Sequence, residues 1–169
     1  MSGVAIEVAF AACNVVAREA LLLDAQRWDD WLALYADDAV FWLPAWADEH
    51  RLAASPEREL SLTYCTRAGL EDRVWRVRSG LSVASRPLPR TTHSVANSVA
   101  RLADEPVGGV VVESSWTCHV FGLKERATHV FHGRYEHRLR RDREQWRIAA
   151  KTIVLMNDTI PTMLDFYCV

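Results

Sequence analysis

Between positions 128 and 140 the odd residues include Phe131, Gly133, Tyr135 and Leu139, while the even ones are His132, Arg134, Glu136, Arg138 and Arg140. Only a half-buried antiparallel strand explains that alternation, because successive side chains of a strand point to opposite faces. A lone strand is not stable, so the neighbouring chain must supply partners. Segments 91–103, 110–123 and 146–157 read the same way. The connections at 104–109, 124–126 and 141–144 are short, which predicts a meander of long hairpins. Gly108-Gly109 reads as a turn.

The first half has a different period. Ile6, Phe10, Cys13, Ala17 and Leu21 recur at three- and four-residue steps, which predicts a helix over about 4–26 with that stripe buried. Asp29 and Asp30 precede Trp31, Leu32, Leu34 and Tyr35, a second short helix with an acidic first turn, broken at Asp37 and Asp38. Val40, Phe41, Trp42 and Leu43 read as a strand stopped by Pro44. Residues 45–56 read as a loop. Ser55-Pro56-Glu57-Arg58-Glu59 then looks like a helix start that runs to about Arg78 and ends at Ser79-Gly80. Pro87 and Pro89 hold an extended connector. Helices followed by long antiparallel strands predict one α+β domain over 1–169: a cone-shaped, curved antiparallel sheet wrapped around N-terminal helices. Its helical half covers about 1–80, its sheet about 90–157 and a tail 158–169. Such a cone leaves a cavity between helix and sheet.

Composition narrows the function classes. The chain has 169 residues, half of them apolar and a quarter charged, with 7 Gly and 6 Pro, which argues against disordered and collagen-like readings. A formal net charge of −2, with 18 Arg and 2 Lys spread along the chain, makes nucleic acid an unexpected partner. Cys13, Cys65, Cys118 and Cys168 show no paired spacing, which fits reduced thiols and a cytoplasmic location. The N-terminus reads without an export signal, and no apolar window of about 18 residues predicts a membrane span.

The motifs for metal and nucleophile chemistry are not written here. A Rieske cluster needs two Cys and two His at close paired spacings, and mononuclear iron needs two His and a carboxylate. His129 and His137 are about 27 Å apart at strand rise, and His132 points to the other face. Cys118 and His119, as strand neighbours, face opposite ways and form no dyad. No G-x-S-x-G or G-x-G-x-x-G occurs. A cavity acid–base pair remains open: Asp24, Asp29 or Asp30 near the helix end, with His93 or Tyr64 across the cone. Asp29 and Asp30 equally suit the start of a helix. In GLEDRVWRVRSG (69–80) and PLPRTTH (87–93), Arg73 and Arg76 share one helical face, with Trp75 between them and Arg78 and Arg90 nearby. That is either a solvated basic face or a protein interface that captures carboxylates or carbonyls.

WLALYADDAVFWLPAW (31–46), ERELSLTYC (57–65), GLEDRVWRVRSG, PLPRTTH and the terminal MNDTI and LDFY together cover nearly the whole chain. In this order they resemble the small (β) subunit of aromatic ring-hydroxylating dioxygenases, in particular the benzoate/anthranilate 1,2-dioxygenase group. The resemblance implies the cone fold of scytalone dehydratase and ketosteroid isomerase, within the cystatin-like superfold, and a homotrimer inside an α3β3 hexamer. It implies a chain without cofactor of its own. The large (α) subunit then carries a Rieske [2Fe-2S] cluster and mononuclear Fe(II), and a reductase passes on electrons from NADH. With O2 the complex dihydroxylates an aromatic carboxylate-type substrate. Arg73, Trp75, Arg76, Arg90 and His93, in the segments most specific to the resemblance, are the expected subunit-interface residues. Two alternatives stay open: a free-standing cone-fold dehydratase or isomerase using a cavity Asp/His pair, and a ligand-binding cone domain without chemistry.

Overall fold

A computed structural model describes residues 3–81, 86–104 and 109–169. The elements in chain order are α1 (Ile6–Asp24), α2 (Trp28–Leu32), β1 (Tyr35–Pro44), β2 (Ser61–Thr66), α3 (Arg67–Ser79), β3 (Arg90–Leu102), β4 (Val110–Gly122), β5 (Ala127–Asp142), β6 (Gln145–Leu155) and a 3₁₀ turn, Phe166–Cys168. The fold is α+β: one six-stranded sheet in the order β2-β1-β6-β5-β4-β3, with α1 laid across its inner face.

The alternation that opened the sequence reading is realised in β5. Phe131, Gly133, Tyr135, His137 and Leu139 face the core, and His132, Arg134 and Arg138 face water. The partners in register do the same, with Tyr135 opposite Ser114 on β4 and Ile153 on β6. The β5–β6 turn is tighter than the sequence suggests, narrowing to Arg143 and Glu144, with Arg143 in the left-handed region at φ 56°. The β3–β4 connection, with Gly108, falls partly on 105–108, outside the described residues.

Four expectations need correction. The first is the buried stripe of α1. Ile6, Phe10 and Leu21 are 78%, 69% and 68% exposed, and the covered side carries Ala12, Val16, Glu19, Ala20 and Leu23. Periodicity picked the more apolar face, whereas the buried one mixes small residues with a Glu that has partners inside. The second is the helix over 55–78. Residues Ser61–Thr66 form an edge strand antiparallel to β1, with Trp42 opposite Tyr64 and Phe41 opposite Cys65, and the helix begins only at Arg67. Its alternating Leu62-Thr63-Tyr64-Cys65-Thr66 suits a strand once an edge is available to pair with. The third concerns β1, which begins at Tyr35, where the second helix was expected to continue. The sheet is also not antiparallel throughout, since β1 lies parallel to β6.

The end of α3 matches its sequence signal and has two physical causes. Gly80 adopts φ 67°, and a Cβ there would fall 1.5 Å from the Arg86 guanidinium, which lies against the helix end.

Candidate functional site

The inner face of the sheet carries polar side chains that elsewhere would be water-exposed. Glu19, delivered by the covered side of α1, is 1% exposed and meets donors from four other elements. Lys151 Nζ on β6 donates at 3.0 Å, His137 Nε2 on β5 at 2.9 Å and Trp31 Nε1 on α2 at 3.4 Å, and the Tyr35 hydroxyl on β1 donates as well. Burial alone would raise the Glu19 pKa, but the charge of Lys151 and the bond from His137 overcome it and hold the carboxyl far below the usual range. Burial pushes the Lys151 and His137 pKa values down, against the pull of Glu19. A carboxylate only accepts, so the bond places the histidine proton on Nε2. His137 Nδ1 is then a bare acceptor, without a partner among the described residues. Lys151 Nζ also lies 4.3 Å from the Tyr135 ring centroid and donates to the Val169 oxygen at 3.4 Å.

A second polar contact joins the end of α1 to strand β3. Asp24 accepts from the His93 backbone N–H at 2.8 Å and Thr91 Oγ1 at 2.9 Å, and contacts His93 Nδ1 at 2.6 Å. Burial raises its pKa, but these bonds outweigh it and the net shift is downward. The His93 side chain is fully covered, with Nε2 unpartnered among the described residues. Of the expected acid–base candidates, only Asp24 and His93 therefore meet. Asp29 lies at the surface in a two-bond pair with Arg78, at 2.9 and 2.8 Å, and Asp30 pairs with Arg27 at 2.6 Å. Tyr64 sits on edge strand β2, paired across from Trp42 and 47% exposed, outside the cone.

The space between α2 and the inner face of the sheet is filled by the chain's own last residues. Phe166 stacks on Trp31 at 5.0 Å and meets Trp28 edge-on at 5.3 Å. Phe166, Tyr167, Cys168 and Val169 are at most 3% exposed. Burial pushes the Cys168 thiol up to about 12 and the Cys118 thiol higher still, so neither is a nucleophile near neutral pH. Cys118 is buried and His119 exposed, on opposite faces as their adjacency requires. Among the described residues no three His, Cys, Asp or Glu side chains converge as a metal ion would need.

The expected interface residues divide. Arg73 pairs inside the chain with Asp165 at 3.0 Å, both partly buried, and joins α3 to the final turn. His93 turns inward to Asp24, so its covered ring offers nothing to a partner. Trp75 is 62% exposed, and Arg76 and Arg90 are exposed with no ion pair among the described residues. Sequence reasoning missed Glu19, Lys151, His137 and Tyr35 as one group. A signal existed for Lys151, one of only two lysines, set at an inward position between Ile148 and Ile153.

Residues 18–162 match the family described as ring hydroxylating beta subunit. The anthranilate 1,2-dioxygenase small subunit of Acinetobacter baylyi is 34% identical over 163 residues, 96% of this chain and 98% of that protein. The crystal structure of the beta subunit of benzoate 1,2-dioxygenase from Burkholderia mallei superposes over 100% of both chains with a TM-score of 0.77 at 30% identity. A Nostoc punctiforme protein with a cystatin-like fold shares the architecture alone, with a TM-score of 0.61 at 12% identity over 95% of this chain and 98% of that one. With a match across most of its length in sequence and all of it in fold, the chain belongs to the ring-hydroxylating beta-subunit family.

Proposed function

We propose that this chain is the small subunit of a Rieske non-haem iron aromatic ring-hydroxylating dioxygenase, present as a homotrimer within a cytoplasmic α3β3 hexamer. The large subunit holds the [2Fe-2S] cluster and the mononuclear iron. A reductase supplies electrons that originate in NADH, and with O2 the complex dihydroxylates an aromatic carboxylate. The relatives named above act on anthranilate and benzoate, both aromatic rings bearing a carboxylate. In this reading the chain's part is to fold, to assemble and to hold its partner. Trp75, Arg76 and Arg90 are its exposed contact residues, while Arg73 and His93 brace the fold behind them.

The observation that carries this reading is the length-for-length match to dioxygenase small subunits. Co-expression with the large subunit of its complex is expected to yield a co-eluting species with the mass of three copies of each. A strict monomer that never associates with the large subunit overturns it. The Asp24–His93 contact favours a second reading, a cone-fold dehydratase or isomerase. Against it, Asp24 already spends both carboxylate oxygens on the His93 N–H, the His93 ring and Thr91. Asp24→Asn and His93→Gln in the assembled complex are expected to leave turnover per hexamer within a few fold. A loss of about 10²–10⁴, typical of removing a general acid or base, would transfer the chemistry to this chain.

A further inference from the structure

We draw no further inference here: the strongest candidate, the outward face of α1 on which Ile6, Phe10 and Leu21 stand 68–78% exposed, is an apolar surface, and nothing in the structure shows what covers it.

Discussion

Replacing Lys151 by Met tests whether Glu19 is a buried anion held by its neighbours. The methionine keeps the length of the side chain and removes the charge 3.0 Å from Glu19. At an effective dielectric of about 20, that attraction is on the order of 5 kcal/mol, and it offsets a desolvation penalty of several kcal/mol for each ion. Without Lys151, Glu19 keeps the His137, Tyr35 and Trp31 donors but loses its countercharge. Breaking a buried pair on one side costs roughly 3–5 kcal/mol, a large part of the roughly 5–15 kcal/mol that holds a domain together. In urea, with a slope of about 2 kcal/mol per molar, the unfolding midpoint should fall by about 2 M. Adding Glu19→Gln to Lys151→Met removes the stranded charge. The double variant should then be more stable than the sum of the two single losses by about 1–3 kcal/mol. A single-variant loss under about 1 kcal/mol, with additive effects in the double variant, would refute the ionised pair.

Acidification should weaken the fold through His137. Burial lowers its pKa, so the folded state stays neutral where the unfolded chain takes up a proton. The stability contributed by the neutral ring is complete above the ordinary histidine value of about 6.5 and is lost as pH falls from there towards the lowered folded value, by at most about 1.4 kcal/mol per pH unit. Urea midpoints at pH 7.5 and 5.5 should show that slope in the wild type and a shallower one in His137→Gln; equal slopes would count against it. At Gly133 a Cβ would lie 1.8 Å from the Val154 carbonyl oxygen and 3.3 Å from the Met156 nitrogen, both backbone atoms that cannot rotate away. Gly133→Ala should therefore cost at least about 3 kcal/mol in the same unfolding assay, and a neutral result would mean that β5 and β6 sit farther apart than described.

The parts of the fold that could be read from sequence were those where local pattern and tertiary environment agree. Strands β3 to β6 are long and pair with sequence neighbours, β4 to β6 bury one face and the first half of β3 alternates between half-buried and exposed, so a two-residue period identifies them. Strand β2 failed that test because it is a six-residue edge whose only neighbour, β1, lies across a loop. Helix α1 failed differently. Its existence followed from the three- and four-residue spacing, but its orientation did not. Hydrophobicity ranks Ile6, Phe10 and Leu21 above Ala12, Val16, Glu19 and Ala20, whereas the sheet covers the face that brings small residues and Glu19 to the inward donors of Lys151, His137, Trp31 and Tyr35.

Asp24 and His93 were legible as candidates because each residue type suggests proton transfer, and the structure does bring them together. Their surroundings change what the pair does. Asp24 spends its oxygens on the His93 N–H, the His93 ring and Thr91, three contacts on one strand, which fixes the end of α1 against β3. A catalytic carboxylate needs an acceptor position facing substrate, whereas both Asp24 oxygens already accept from β3. Arg73 on α3 binds Asp165, and Asp165 in turn accepts from the Phe166 N–H at 2.8 Å, so α3 holds the filling turn in place. Arg73 thus serves the interior through Asp165, while Trp75 and Arg76 on the same helix face outward. One short helix thus closes the cone on one side and leaves Trp75 and Arg76 exposed on the other.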